Sequence, residues 1–396
     1  MNFEPWPYFE DDEIKAVTDV LRSGKVNQWT GSQVVSFEKE FAHYMGSKYA
    51  VALANGSLAL DLALMGYGIQ KGDEVIVTPR SFVASASCVA LKGAVPVFVD
   101  VDPVSQNVTT DNIAAAITNK TKAVIAVNLA GWPCDLHKIQ QLCRDNDLIL
   151  IEDCAQSHGA AFNNRKAGSF GDCAVFSFCQ DKIMTTGGEG GMVVIDNKDV
   201  WERVWSYKDH GKEYPKSNTS MPSAKFRWLT NTFGTNCRMT EMQATMGRVM
   251  LKKLDGWVEQ RRTFAKMFNE AFVNLKGLRT TIPSENIYHS YYKYYVFIDP
   301  AALKSNWTCS SVLNALREKG IPCNSGICPE IYLEKAFANS LYRIQGGQEY
   351  DGALRLPVAK KLGETSMMFM VHPTLKDESI QFVVDQVRSV MTEAVR

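Results

Sequence analysis

A lysine lies between an apolar run and a glycine-rich turn in the segment SFCQDKIMTTGGEGGMVV (177–194). Lys182 suits the interior of a sheet poorly, but its amine can form a Schiff base if its surroundings lower its pKa. The glycines that follow let a ligand and the backbone approach closely. The G-x-x-x-x-G-K-[ST] pattern of a nucleotide-binding phosphate loop is absent. A solvated lysine with no chemical role is the alternative interpretation.

Acidic residues follow a second apolar run, in LILIEDCAQSHGA (148–160). A carboxylate at the end of a buried strand, such as Glu152 or Asp153, can hold a protonated pyridine nitrogen, a metal ion or a helix N-terminus. Gln156 could contact a ring substituent. His158 could stack nearby, or it could be purely structural. On these residues alone, a helix cap with ordinary packing explains the segment equally well.

A small polar group follows a third apolar run, AVALA (50–54), and opens a predicted helix. Gly56 allows close backbone approach, Ser57 offers a hydroxyl, and a helix N-terminus offers free N–H groups, so together they suit a phosphate. A simple N-cap is the alternative. A phosphate site, a carboxylate and a lysine are the parts that a pyridoxal phosphate (PLP) site needs.

Short apolar runs separated by helical segments must position these residues. The runs 50–54, 74–77, 95–99, 123–127 and 148–151 read as buried strands, and 174–178 and 192–195 form a further pair around the glycine-rich turn. Buried strands that alternate with helices predict a mostly parallel sheet covered on both faces. Since ligands gather at the carboxyl ends of such strands, the three groups should meet there.

The pattern changes near residue 250. A long amphipathic helix is predicted over 251–272, followed by an aromatic strand at 291–298 and helices at 310–320 and 379–391. We therefore expect an α/β chain with a PLP-binding large domain over 1–250 and a smaller α+β domain over 251–396.

Composition limits the possible partners. The 396 residues hold 43 Lys+Arg and 43 Asp+Glu, so no net field attracts nucleic acid or an anionic membrane. No run approaches 18 apolar residues, and the acidic, aromatic N-terminus does not predict a signal peptide. The ten cysteines are scattered without C-x-x-C spacing, which favours buried thiols over disulfides or a metal site. We expect a cytoplasmic protein with no bound metal.

The chain resembles the DegT/DnrJ/EryC1/StrS family of PLP-dependent sugar aminotransferases over nearly its whole length. The matching segments, in chain order, are W-T-G (29–31), A-N-G-S-L-A-L, K-G-D-E-V-I-V-T-P (71–79), S-F-V-A-S, E-D-C-A-Q-S-H-G-A, S-F-x-x-x-K-x-x-T-T-G, G-T-N-C-R-M-T-E-M-Q-A (234–244) and V-H-P-T-L (371–375).

The resemblance implies a role for each matching residue. Lys182 would carry the cofactor as the Schiff-base lysine, and Asp153 would pair with the pyridine nitrogen. Gln156 would lie beside the ring hydroxyl, and Phe82 would stack on the ring face.

The resemblance also implies a phosphate site. Ser57, the backbone at Leu58 and Ser177 would hold the phosphate beside Gly56. Asn236 would reach the phosphate of a neighbouring subunit, because the family builds its sites across a homodimer.

Acceptor recognition is expected mainly in the smaller domain. The candidates there are aromatic and basic residues, with packing as the alternative role of the tyrosines: Tyr288, His289, Tyr291, Tyr292 and Lys293. Arg238 and the segment 225–228 could meet a pyrophosphate.

The family implies an aspartate-aminotransferase-like (type I) fold and a defined reaction. L-glutamate would give its amino group to PLP, leaving pyridoxamine phosphate, which would aminate a nucleotide-linked keto-deoxy sugar at C4 or C3 for amino-sugar and surface-polysaccharide biosynthesis. Members with histidine in place of the lysine are dehydratases, so Lys182 favours transamination. A PLP-dependent dehydratase or lyase remains the alternative, and a non-catalytic regulator would require an added DNA-binding segment, which is not seen.

Overall fold

The computed structural model describes residues 1, 3–214, 230–338, 340–345, 348–349 and 354–396. Its strands up to the glycine-rich turn are β1 Tyr49–Leu53, β2 Glu74–Val77, β3 Val95–Phe98, β4 Thr121–Val127, β5 Ile149–Asp153, β6 Ala161–Phe162, β7 Arg165–Lys166, β8 Cys173–Ser177 and β9 Gly191–Ile195. The later strands are β10 Leu278–Thr280, β11 Ile287–Tyr288, β12 Tyr294–Ile298, β13 Cys323–Asn324, β14 Arg343–Ile344, β15 Gln348–Glu349 and β16 Ser366–Phe369.

The helices alternate with these strands in the first half of the chain. They are α1 Asp11–Ser23, α2 Gln33–Met45, α3 Gly56–Gly66, α4 Ala84–Leu91, α5 Thr110–Ala114, α6 Leu136–Asp145, α7 Lys198–Lys208, α8 Glu241–Phe272, α9 Cys309–Glu318, α10 Pro357–Thr365 and α11 Asp377–Ala394.

A large, mostly parallel sheet forms the centre of the molecule. Its strand order is β1-β9-β8-β5-β4-β2-β3-β14-β15, with β8 through β14 parallel and β9 and β15 antiparallel to their neighbours. The strands predicted from the apolar runs are confirmed. Strands such as β2 are buried along their whole length because helices cover both faces. Each fully buried valine or isoleucine contributes about 1.5–3 kcal/mol.

A second hydrophobic core lies in the C-terminal part of the chain. The antiparallel sheet β10-β12-β16-β13 packs there with the C-terminal half of α8 and with α9 and α11. The type I fold and its mostly parallel large sheet, expected from the family resemblance, are confirmed. A small antiparallel sheet, β11-β6-β7, joins the segment after β5 to the segment before β12.

The domain division at residue 250 stays a prediction. Helix α8 runs through that position without a break, and Ile331, Tyr332 and Tyr342 belong to the core of the large sheet. Strand β14 adds to the same sheet beside β3. Part of the chain beyond residue 250 therefore completes the first core.

The predicted start of the long helix, at residue 251, is wrong. Helix α8 begins at Glu241 because Thr240 and Gln243 form a capping box. The Gln243 amide donates to Thr240 Oγ1 (3.3 Å), and the Thr240 amide donates to the Gln243 side chain (2.9 Å). The family motif over residues 234–244 therefore extends into the first turn of α8.

The cysteines agree with the expectation of buried thiols. All ten cysteines are free thiols, and most of them are buried. Within the described part of the chain, no helix has the length and apolarity that crossing a bilayer would require.

Candidate active site

One cavity of about 580 Å³ opens at the carboxyl ends of the large-sheet strands. This edge is where the loops after β1, β2, β5 and β8 meet, because those strands run in the same direction. Seven of the predicted cofactor residues line the cavity together: Gly56, Ser57, Phe82, Asp153, Gln156, Ser177 and Lys182.

The paired acids at the end of β5 face opposite ways, as successive residues of a strand do. Asp153 lines the cavity. Glu152 is fully buried on the other side and accepts three backbone N–H bonds, from Gly168 (2.6 Å), Phe170 (2.7 Å) and Gly171 (2.7 Å). Glu152 therefore organises the loop before β8, and Asp153 is the acid available to a ligand.

Asp153 is buried and held by two donors. Ser85 Oγ donates to Oδ2 (2.8 Å), and the Ala155 amide donates to Oδ1 (3.1 Å). Burial raises the pKa of the Asp153 carboxyl, while these two hydrogen bonds and the charge of Lys182 oppose the rise. A cationic ring N–H bound at this carboxylate would favour its ionised form further.

Gln156 and His158, which follow Asp153 in the chain, have different roles. Gln156 Oε1 accepts from the Ala130 amide (2.9 Å), and Ala130 has a left-handed backbone (φ 56°). This bond fixes the orientation of the Gln156 amide at the cavity wall. His158 lies in the core against Phe176 (5.5 Å) and Phe178 (5.7 Å), where burial lowers its pKa to about 3. Of its two proposed roles, the structure supports packing.

The N-terminus of α3 forms one wall of the cavity. Asn55 caps the helix, because its side chain accepts from the Leu58 amide (2.9 Å). A Cβ at Gly56 would lie only 2.7 Å from Ser177 Cβ, so glycine allows the helix start to reach the end of β8. Ser57 and Ser177 both line the cavity there.

The predicted phosphate contact through Leu58 is not supported by this geometry. The Leu58 amide is already bound to Asn55, and Leu58 is not among the residues that line the cavity. The first-turn amides of Gly56 and Ser57 are the better phosphate donors, since the first N–H groups of a helix have no partner within it.

Lys182 lies on the loop after β8, half-buried at the cavity wall. Its Nζ lies over the ring of Tyr292, 4.9 Å from the centroid. The Tyr292 hydroxyl donates to Asp181, and Lys293 Nζ lies 3.9 Å from the same carboxylate. Burial would raise the pKa of Asp181, but Lys182, Tyr292 and Lys293 outweigh it and leave the pKa below its usual value.

Two predicted residues near 236 lie outside this chain's cavity. Asn236 is exposed, and its Oδ1 accepts from the Arg238 amide (3.3 Å). Arg238 Nη1 donates to Asp209 (2.7 Å), which does not line the cavity either. Arg238 is thus committed to an ion pair. The segment 225–228 lies outside the described residues.

The predicted acceptor residues of the C-terminal part are mostly engaged elsewhere. The Tyr288 hydroxyl donates to Glu259, and Arg262 lies 4.0 Å from its ring centroid. His289 is buried against Tyr291 (3.7 Å between centroids), and burial lowers its pKa to about 3. Tyr292 lines the cavity, and Lys293 reaches it only through Asp181.

Some cavity residues were not predicted from the sequence. Ser81 and Ser85 follow β2, four residues apart, and their hydroxyls lie 3.0 Å from each other. Two serines just after a buried strand, at the edge where ligands gather, were the available signal. Asp181 also lines the cavity, and its position next to Lys182 in the sequence was a second signal.

The cavity fits a pyridine cofactor that carries a phosphate. A buried carboxylate lies at one wall, a helix N-terminus with two serines at another, and an amine at a third. The close approach of Gly56 to Ser177 leaves the phosphate end narrow. These donors and acceptors match a ring N–H, a phosphate and an aldehyde respectively.

Comparison with known proteins agrees with this geometry. Residues 7–388 match the model of the DegT/DnrJ/EryC1/StrS aminotransferase family. The chain is 31% identical to the dTDP-4-dehydro-2,3,6-trideoxy-D-glucose 4-aminotransferase of Saccharopolyspora spinosa, covering 96% of this chain and 94% of that protein.

Solved structures give the same result. The aminotransferase from Psychrobacter cryohalolentis superposes with a TM-score of 0.94 at 46% identity, over 99% of both chains. An E. coli GDP-4-keto-6-deoxy-D-mannose-3-dehydratase with bound hydrated PLP superposes with a TM-score of 0.85 at 26% identity, over 98% of this chain and 99% of that chain.

Proposed function

Since this chain belongs to the DegT/DnrJ/EryC1/StrS aminotransferase family, we propose that it transfers the amino group of L-glutamate to a nucleotide-linked keto sugar. It is an aminotransferase, and its cofactor is pyridoxal 5′-phosphate. The observation that carries the proposal is the placement of Lys182 and Asp153 on the walls of one cavity, with Ser57 and Ser177 at its phosphate end. The name of the S. spinosa relative supports a nucleotide-linked keto sugar as acceptor.

The cofactor would be held by residues of β5, α3, β8 and the loop after β8. Asp153 would bind the pyridine nitrogen, the N-terminus of α3 with Ser57 and Ser177 would bind the phosphate, and Lys182 would bind the aldehyde carbon. When bound, the cofactor supplies an electron sink for the substrate carbon that loses its proton.

The chain's own residues then supply the proton chemistry. Asp153, whose negative charge Ser85 and Ala155 stabilise, would hold the proton of the ring nitrogen. Lys182 Nζ would take the proton from Cα of glutamate as a general base and then donate it as a general acid. Tyr292 covers the lysine and limits the access of water to it.

A dehydratase is the second candidate function, favoured by the superposition on the E. coli 3-dehydratase. The two functions differ in their products, because only a transaminase delivers nitrogen to the sugar. The amine of Lys182 is retained here, which supports transamination.

Transfer of ¹⁵N from labelled glutamate distinguishes the two functions. The protein is mixed with PLP, ¹⁵N-L-glutamate and a panel of UDP-, GDP- and dTDP-linked keto sugars, and the products are analysed by mass spectrometry. We expect a ¹⁵N-amino sugar and 2-oxoglutarate. A deoxygenated sugar without ¹⁵N would establish the dehydratase instead.

Replacing the lysine tests the site itself. We expect Lys182→Ala to abolish both the visible absorbance of bound cofactor and the transfer of ¹⁵N. Lys15→Ala, which removes an exposed lysine on α1, is the matched control and should behave as wild type. Turnover by Lys182→Ala would contradict the assignment.

The proposal includes a homodimer with shared active sites and a cytoplasmic location. Asn236 is exposed and absent from its own chain's cavity, and Phe233 in the same segment is 99% exposed. Aromatic residues are enriched in protein–protein interfaces, so this exposed ring suits a subunit contact. Asn236 would then reach the phosphate end of the partner's cavity.

A further inference from the structure

Residues 3–8 form an N-terminal strap that crosses the molecule next to the Lys182 loop. The strap is held at its start by the C-terminal core. Phe3 packs on Phe382 of α11 (6.5 Å between ring centroids), and Thr374 Oγ1 donates to the Pro5 carbonyl (2.9 Å).

The other end of the strap is held by α8. Lys253 Nζ lies among three carboxylates at the start of α1: Glu10 (2.7 Å), Asp12 (2.8 Å) and Glu13 (2.7 Å). These acids are close enough together to suggest a metal site, but the Lys253 ammonium group already lies between them and contacts all three. The strap therefore runs between two fixed ends.

Trp6, in the middle of the strap, contacts the main chain of the proposed cofactor lysine. Its Nε1 donates to the Lys182 carbonyl (2.8 Å). Its ring packs edge-on against Trp257 (5.2 Å) and stacks on His372 (6.2 Å), and the Arg261 guanidinium lies 5.2 Å from its centroid. The indole thus has little freedom to turn away from this bond.

We propose that Trp6 is a positioning residue for Lys182, an inference that rests on the proposed function. The bond to the carbonyl fixes the plane of the peptide that follows Lys182. Because the side chain leaves from the same Cα, this plane sets the direction in which Nζ enters the cavity. The Lys182 loop is therefore positioned in part by His372 and Thr374, which lie far along the chain.

Packing also holds the loop, since the Ile183 and Met184 side chains that follow Lys182 are fully buried. The Lys182 amide donates to the Cys179 carbonyl (3.1 Å), a bond within the loop, and Asp181 is held through its side chain by Tyr292. The Trp6 bond is the contact from a distant segment that acts on the backbone of Lys182 itself.

Trp6→Phe tests this inference because it keeps an aromatic ring and removes only the N–H donor. We expect PLP to bind and the chain to fold. The turnover number should fall about fivefold, the size expected for one lost hydrogen bond, with little change in KM for glutamate. The pH midpoint of the bound cofactor's visible absorbance should also shift from the wild-type value.

A readout without cofactor completes the test. In the cofactor-free protein, amide hydrogen exchange of the peptide 179–186 should be faster in Trp6→Phe than in wild type, because the loop has lost its anchor. Trp257→Phe is the matched control. It makes the same change in the same aromatic cluster, but Trp257 donates no hydrogen bond to Lys182 among the described contacts.

The outcomes separate the two proposals. A reduced turnover number, a shifted pH midpoint and faster exchange in Trp6→Phe alone would support positioning. Equal effects in both variants would mean that packing alone is responsible, and wild-type values in Trp6→Phe would overturn the inference. A wild-type protein without ¹⁵N transfer would instead overturn the proposed function, whatever the variants do.

Discussion

Asp153 shows how a buried acid can be kept available for chemistry. Burial alone raises the pKa of its carboxyl and would favour the neutral acid. The hydrogen bond from Ser85 opposes that rise without adding a charge. Ser85 is therefore as much a part of the proposed site as the residues that would touch the cofactor.

Ser85→Ala should raise the pKa of the Asp153 carboxyl further. An acid with a raised pKa is protonated at higher pH, so the acidic limb of the kcat/KM profile should move to higher pH. We expect the plateau to fall about tenfold, as for a lost hydrogen bond to a charged group. Steady-state kinetics across the pH range measures both effects.

Two further variants check this interpretation. Ser85→Thr keeps a hydroxyl and should restore most of the wild-type profile. Ser87 lies on the same helix and makes no hydrogen bond to Asp153, so Ser87→Ala should leave the profile unchanged. An unshifted acidic limb in Ser85→Ala would show that Ser85 does not stabilise the charge.

The sequence predicts which residues meet where position along a strand determines position in space. Gly56, Asp153, Ser177 and Lys182 come together because each ends or follows a strand at the same sheet edge. Trp6 could not be predicted, because its contact to Lys182 depends on how distant segments pack. The side-chain direction of Tyr288 was likewise decided by Arg262 and Glu259.

At the level of elements, the strands were predicted well because continuous apolar runs must be buried on both faces. Helix α8 was predicted only in part, since its first ten residues include Gly247 and lack a regular apolar pattern. Close packing of α8 against α2 requires glycine at position 247. A Cβ at this position would lie 2.6 Å from Cζ of Phe37, which is fully buried on α2.

Two glycines of α8 should respond oppositely to alanine. Gly247→Ala forces the buried Phe37 ring to move and should lower the free energy of unfolding by about 1–3 kcal/mol. Gly256→Ala meets no atom within 4 Å and should raise it by about 1 kcal/mol, through helix propensity alone. Thermal unfolding of the two variants gives the order, and equal midpoints would contradict the packing argument.

At the level of the whole molecule, the proposed dimer makes a prediction about mixed subunits. Asn236→Asp places a negative charge where the partner's phosphate would lie, and it should be inactive, as should Lys182→Ala. In a mixed dimer, one of the two sites then has both residues intact. Mixing and refolding equal amounts should restore about a quarter of the wild-type activity.

Size-exclusion chromatography and ¹⁵N transfer measure the result together. Restored activity in the dimer fraction would support shared sites. A dimer that stays inactive after subunit exchange would mean that Asn236 serves the cavity of its own chain. Mixing Lys182→Ala with Asp153→Asn is the control, because both residues lie in one chain's cavity and a mixed dimer contains no intact site.

Strand β14 has a consequence for folding during synthesis on the ribosome. It pairs in parallel with β3, Arg343 opposite Val97 and Ile344 opposite Phe98, and Tyr332 and Tyr342 surround the Phe98 ring. A nascent chain that has left the ribosome only as far as α8 still exposes that edge and that ring. The large sheet therefore cannot be completed until β14 has been synthesised. Chaperones would be of most use during that interval.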